Sequence, residues 1–236
     1  MTTNPQGRRE TFLERAFEHY QGLPHQKDAI AKLDGMLPPH TLRVFEKAFS
    51  PHRAEEPDPL APIKLDVPFW HQLDNLRQPH RTCNPSACAM AAHFMLPEAI
   101  SEDDELIEDF VREGEDFTNH QAMTRILRAR GVESFFKYDL DRPKLDHEIR
   151  HGRPMVLGVL HRGTRNAPYG GHMIVAVGLN PRADAVICHD PYGSMNDGYR
   201  SSPMSGRFVE YSWDELAPRW ICEGPGSGWG RLFFPR

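Results

Sequence analysis

The stretch Arg81-Thr82-Cys83-Asn84-Pro85-Ser86-Ala87-Cys88-Ala89-Met90 decides the reading of this 236-residue chain, because it opens a helix on a cysteine. Proline is tolerated in the first helical turn, where its missing N–H would have no partner in any case. Pro85 therefore sets the helix start at or just after Cys83, and the helix is expected to run to about Met95, ended by Pro97. A thiol at that place meets unpaired N–H groups and the positive end of the helix dipole, both of which favour the thiolate. Cys88 lies deeper, beside small and apolar neighbours, and reads as packing. A single cysteine is more often a buried apolar residue than a nucleophile, so Cys83 draws its meaning from its company.

That company lies downstream. Gly170-Gly171-His172 opens the apolar run 173–178, and the run 185–189 closes on Asp190-Pro191. If the two runs form a hairpin about Asn180-Pro181-Arg182-Ala183-Asp184, a register centred on Pro181 sets His172 opposite Asp190. An acid facing an imidazole fixes its tautomer, and the imidazole takes the proton of a nucleophile. Read without the cysteine, His172 is a surface histidine and Asp190 a turn former before proline. With Cys83 the three read as a site. Gln72, eleven residues before Cys83, sits on a loop able to fold back and offer an oxyanion donor beside the Cys83 backbone N–H. His189 alternates to the opposite face and falls outside the site.

In this order, Gln72, Thr82-Cys83-x-x-Ser86, Gly-Gly-His172 and His-Asp190-Pro-Tyr-Gly, the chain resembles the C39-like cysteine peptidases of the papain-like superfamily, as found in phages and bacteria. The resemblance spans roughly Leu65 to Phe234 and includes the closing Glu223-Gly-Pro-Gly-Ser-Gly-Trp229 segment. It implies an α+β papain-like fold, with a Cys-bearing helix packed on an antiparallel sheet. It also implies Cys83 as nucleophile, His172 as base, Asp190 as its orienter and Gln72 as oxyanion donor. Many members have Gly-Pro after the cysteine, whereas this chain has Asn84-Pro85.

Composition bounds the alternatives. A net charge of −5 and a pI near 6.2 argue against nucleic acid as the main partner. No apolar run approaches the roughly 20 residues of a membrane span, so no membrane insertion is expected. Met1 to Arg9 is polar with no apolar core behind it, which reads as no secretory signal and synthesis in the cytoplasm. Cys83, Cys88, Cys188 and Cys222 form no C-x-x-C pair, and the thirteen histidines give no H-E-x-x-H, so neither a metal nor another cofactor is expected.

Along the chain, helical spacing marks an N-terminal module over 1–50, with Phe12, Ala16 and Tyr20 followed by Ala29, Leu33 and Leu37. The segment 51–62 holds four prolines and reads as a linker, leaving 63–236 as the peptidase-like domain. In that domain a short strand is expected at Ile63 to Trp70, a helix capped by Ser101, and a helix from Asn119 to Arg130 closed by Gly131. Strands are expected at 132–138, 154–160, 172–179, 185–189, 208–211 and 230–234, with a helix starting at Trp213. Helices first and then strands indicate α+β. The loop His161 to Gly171 either borders the substrate cleft or is an ordinary connection. Gly171, Tyr192 and Trp229 are the substrate-binding candidates. Of Tyr192, Trp213, Trp220 and Trp229, which could form an aromatic wall, at least two are expected in the core.

The favoured reading is thiol hydrolysis of a peptide bond, with peptidoglycan stem or bridge peptides as substrate, as in a phage endolysin or virion-associated lysin. Residues 1–50 then read as a wall-targeting or virion-docking module. The alternatives are a processing protease that trims a leader or precursor, and a non-catalytic virion protein that keeps the fold for binding.

Overall fold

Residues 173–177, Met-Ile-Val-Ala-Val, lack polar alternation because both of their faces are covered. Met173, Val175 and Val177 pack into one apolar cluster and Ile174 and Ala176 into a second, as side chains that alternate across a strand must. A computed structural model describes residues 58 and 60–234, so the helical module expected over 1–50 and most of the linker expected over 51–62 lie outside the described residues. Residues 59–236 form one compact unit.

Within it the strands are β1 (Ile63–Lys64), β2 (Glu133–Leu140), β3 (Met155–Thr164), β4 (Ala167–Asn180), β5 (Ala185–His189), β6 (Val209–Ser212) and β7 (Gly228–Phe234). They form one antiparallel sheet in the order β2-β7-β3-β4-β5-β6, with β1 pairing β4 off that path. The helices are α1 (Cys83–Met95), α2 (Asp103–Glu113), α3 (His120–Ala129), α4 (Arg142–Arg150) and α5 (Trp213–Trp220). Leu106 and Phe110 of α2 and Met123 and Leu127 of α3 join α1 in one cluster, while Leu145 and Ile149 of α4 and Leu216 and Trp220 of α5 fill the other. The result is an α+β, papain-like fold, with strands and helices interleaved in sequence after β2.

Residues 84–92 of α1 are buried on every side. Ala87, Ala89, Ala91 and Ala92 let its backbone lie close to the sheet, and a helix apolar all round belongs in an interior. Its burial fixes the place of its first residue, Cys83.

Several expectations need correction. The segment expected as a strand at Ile63 to Trp70 pairs as a strand only over Ile63–Lys64, with one further ladder-like bond from Leu65 N–H to the Val177 carbonyl. Ser101 does not cap α2. The N-cap is Glu102, and the Ser101 N–H donates instead to the Glu105 carboxylate at 3.3 Å. Asn119 caps α3, accepting from the N–H groups of Gln121 and Ala122. The 161–171 segment is no loop, because β3 and β4 extend into it and turn only between Thr164 and Ala167. The helix α4 was not foreseen, although Asp141 as cap, Pro143 in the first turn and Leu145 with Ile149 one turn apart carry its signal. The β4–β5 register also differs. Val175 faces His189 and Asn180 faces Ala185, with a bulge between Ala176 and Gly178, so His172 and Asp190 are not ladder partners. The bulge absorbs one residue and shifts the pairing, an event that alternation does not announce.

Gly158 of β3 leaves the space that Trp229 of β7 fills. A Cβ there would stand 1.9 Å from the Trp229 ring. Gly158→Ala is therefore expected to displace the indole and lower stability by about 1–3 kcal/mol, read from denaturant unfolding.

Candidate active site

Cys83 is the first residue of α1, so its sulfur meets the orphan N–H groups of the helix end. Pro85 is the third helical residue, where a missing N–H leaves no helical bond unmade. Thr82 precedes the helix and is held from behind: its hydroxyl donates to the Pro79 carbonyl at 3.2 Å and accepts from Asn75 Nδ2 at 2.8 Å. Asn75 Nδ2 also reaches Ser86 Oγ at 3.0 Å, tying the preceding loop to the first turn.

The Cys83 thiol hydrogen-bonds to the His172 side chain and to the backbone of Met173 and Asn84. Burial opposes its ionisation, but these bonds and the charge of His172 prevail and bring its pKa below the ordinary 9.0. On the other side of the ring, His172 Nε2 lies 2.7 Å from Asp190 Oδ1. With Nε2 committed there, Nδ1 is the nitrogen left for the sulfur. Burial alone would lower the His172 pKa, yet the Asp190 carboxylate, by charge and hydrogen bond, and then Cys83 raise it to about 10. Each partner thus favours the charged form of the other, imidazolium beside thiolate.

Asp190 is fully buried and takes four donors. Oδ1 accepts from His172 and from the Tyr192 N–H at 3.0 Å, and Oδ2 from the hydroxyls of Tyr211 at 2.8 Å and Tyr199 at 3.2 Å. Burial, then the charge of Asp190, drives both phenols well above their ordinary range, so they remain donors. Its backbone is fixed as well. The Asp190 N–H donates to the Gly206 carbonyl at 2.9 Å, and a Cβ on Gly206 would stand 2.0 Å from the Asp190 carbonyl oxygen. Tyr199, Tyr211 and Gly206 were not found by sequence reasoning. They lie beyond the hairpin, and only their fold-back onto Asp190 reveals them.

Gln72 is buried and anchored at two points. Its N–H donates to the Pro191 carbonyl at 2.8 Å and its Nε2 to the Pro79 carbonyl at 2.7 Å. One N–H of that amide is thereby used and the second is uncommitted. Oε1 is buried without a hydrogen-bond partner among the described residues.

Gln72, Cys83, His172, Gly171 and Tyr192 line one open cleft of about 410 Å³, together with His80, His161, Arg162, Tyr169 and Gly170. Trp229 does not line it. It borders an adjacent hollow with Tyr138, Leu160 and Trp220, and its ring edge lies 3.9 Å from where a Gly171 Cβ would stand. Trp220 is fully buried and Trp213 packs edge-on against it, so neither faces the cleft. His189 is turned away, with Nε2 bonded to the Val67 carbonyl at 2.9 Å and Nδ1 accepting from the Phe208 N–H at 3.0 Å. Cys88 and Cys188 are buried, and burial pushes the Cys88 thiol up to about 11. Among the described residues no three His, Cys, Asp or Glu side chains converge as metal ligands, and no helix is long and apolar enough to cross a membrane.

A cysteine-bearing helix buried against an antiparallel sheet defines the papain-like class. Within it, the chain belongs to the Peptidase_C39 like family, whose model matches residues 64–219, and it is a cysteine-type peptidase, a hydrolase. A solved structure described as a C39-like peptidase from Bacillus anthracis is similar in fold, with a TM-score of 0.52 at 15% identity, covering 75% of this chain and 98% of that one. A double glycine motif protease from an AMS/PCAT transporter, solved in complex with the leader peptide, aligns at 14% identity with a TM-score of 0.43, over 74% of this chain and 98% of that one. No curated protein matches the chain.

Proposed function

We propose that Cys83, His172 and Asp190 act as nucleophile, general base-acid and orienting carboxylate in peptide-bond hydrolysis, with Gln72 as oxyanion donor. The observation that carries this is the unbroken chain of hydrogen bonds from the Cys83 sulfur through His172 to Asp190, with its sulfur end in an open cleft. The thiolate attacks the carbonyl carbon of the scissile bond. The oxyanion formed is met by the uncommitted N–H of Gln72 Nε2 and by the Cys83 backbone N–H. His172 gives its Nδ1 proton to the departing amine nitrogen, the C–N bond breaks and a thioester remains. Water, losing a proton to the same nitrogen, then breaks the C–S bond and returns the thiolate.

Gln72→Ala is expected to lower kcat by roughly 10²–10³ with KM little changed, since the bond is made to the transition state. Single-turnover kinetics would read this, and an unchanged kcat would remove Gln72 from the reaction. Activity is expected to be bell-shaped in pH. The acid limb, set by Cys83, falls below 9.0 and the alkaline limb, set by His172, near 10.

The cleft lining offers the cation Arg162 and the imidazole of His80, and none of its lining residues is acidic. This favours a peptide bearing a free carboxylate near the scissile bond, as peptidoglycan stem peptides do. We read the enzyme as a phage-type peptidoglycan endopeptidase, an endolysin or virion-associated lysin, and residues 1–50 as its wall- or virion-docking module. Mass spectrometry of products from purified peptidoglycan and from candidate precursor peptides tests this. New amino termini in stem or bridge peptides are expected. Cleavage confined to precursor peptides would make it a processing protease, and no cleavage of either, with an unreactive Cys83, would make it a binding protein.

A further inference from the structure

His161 lies in the cleft without a part in the reaction above. It is two residues along β3 from Val159, which pairs with His172, and is thus the diagonal cross-strand neighbour of that histidine. Its ring stacks on His172, with centroids 4.7 Å apart and planes 27° from parallel. Its Nδ1 is 3.2 Å from the Tyr199 hydroxyl, which is 3.2 Å from Asp190 Oδ2. A carboxylate only accepts, so the single hydroxyl hydrogen of Tyr199 goes to Asp190, and His161 Nδ1–H donates to the Tyr199 oxygen. Burial, then the charge of His172, brings the His161 pKa down to about 3, so the ring is neutral with its proton on Nδ1.

The surroundings hold this arrangement in place. Tyr199 adopts φ 61°, a left-handed backbone that a bulky side chain takes only under constraint. Arg219, mostly buried, donates to the carbonyls of Leu160, Arg162 and Gly163 at 3.0, 3.2 and 3.1 Å, on both sides of His161. It has no carboxylate in ion-pair range among the described residues, so its charge is spent on this stretch of β3.

We propose that His161 is a positioning residue for the peptidase reaction: its flat, neutral ring holds the His172 imidazole in the plane that joins the Cys83 sulfur to Asp190. This rests on the reading of Cys83, His172 and Asp190 given under Proposed function. Rotation of His172 about its Cβ–Cγ bond would carry Nδ1 away from the sulfur, and a ring lying on one face resists it. A neutral ring also offers its π face to the imidazolium, which a second cation would repel. The Tyr199 bond sets the tilt of His161 itself.

The test uses p-nitrophenyl acetate and iodoacetamide on the full chain. With the ester, the sulfur attacks the carbonyl and p-nitrophenolate leaves. Water then attacks the acetyl thioester, His172 takes the water's proton, and acetate and the thiolate are released. Deacylation needs an oriented His172, whereas alkylation by iodoacetamide, read on its high-pH plateau where the thiol is fully ionised, needs only the thiolate. His161→Ala is expected to slow deacylation about tenfold more than alkylation, the scale of one aromatic pair expressed in a rate. His161→Phe restores deacylation to within about threefold, while His161→Leu, which fills the volume without a flat ring, stays slow. The Phe and Leu pair decides the matter even where the alanine variant fails to fold. Equal rates for Phe and Leu, or a His161→Ala ratio like that of the wild type, would overturn the proposal. Absence of an acetyl-enzyme burst in the wild type would overturn the underlying site reading, and this proposal with it.

Discussion

Cys83→Ala is expected to abolish hydrolysis, by at least about 10⁴-fold, while the protein stays folded. The sulfur is the only heavy atom removed, it faces the cleft, and Cys83 packs at the edge of the core cluster in which Cys88 is fully buried. Of the three other thiols, Cys88 and Cys188 are buried with raised pKa values and Cys222 is exposed on a different hollow. None can stand in for Cys83, and Cys222→Ala is expected to leave turnover intact. Turnover of p-nitrophenyl acetate reads both variants. Residual activity in Cys83→Ala above about a hundredth of wild type would require another nucleophile.

The second large effect is on Asp190. Its carboxylate accepts from four donors in a site with no water access, so Asp190→Ala leaves His172, two phenols and one N–H facing a gap. Breaking a buried charged network in this way costs about 3–5 kcal/mol. Asp190→Asn is the finer variant, because it keeps an acceptor for Nε2 while removing the charge. His172 has a folded pKa raised from 6.5 to about 10, so the stability it contributes is present in full below pH 6.5. That contribution declines as pH rises from there and is lost above about 10. In Asp190→Asn the decline should largely vanish, with thermal unfolding across pH 6 to 10 as the measurement. A wild-type slope retained in the variant would mean that Asp190 is not what charges His172.

How much of this was legible in the sequence differs from element to element. Cys83 at a helix start was readable because proline and small residues state a local rule, and α1 begins and ends where those signals lie. The strands of the sheet were readable from apolar runs, with ends misplaced by a few residues at 161–171 and 228–230, where pairing partners rather than local preference decide length. The approach of His172 to Asp190 was expected for a partly wrong reason. The predicted ladder pairing does not exist, and the bulge near Val177 with the turn after β5 brings the side chains together instead. Trp229 was a candidate for an aromatic substrate wall, and its ring fills the space over Gly158 and borders the neighbouring hollow. The shell around Asp190 was invisible, since Tyr199 reaches it from a loop and Tyr211 from β6, whose pairing with β5 local sequence does not announce.

The ion pair between Cys83 and His172 is the central claim, and the pH dependence of Cys83 alkylation by iodoacetamide tests it most directly. The rate should reach half its plateau below pH 9.0 in the wild type, and at a higher pH in His172→Ala, where burial of the thiol is no longer offset. A Cys83 that titrates at 9.0 or above in the wild type, with the same midpoint in His172→Ala, would contradict it.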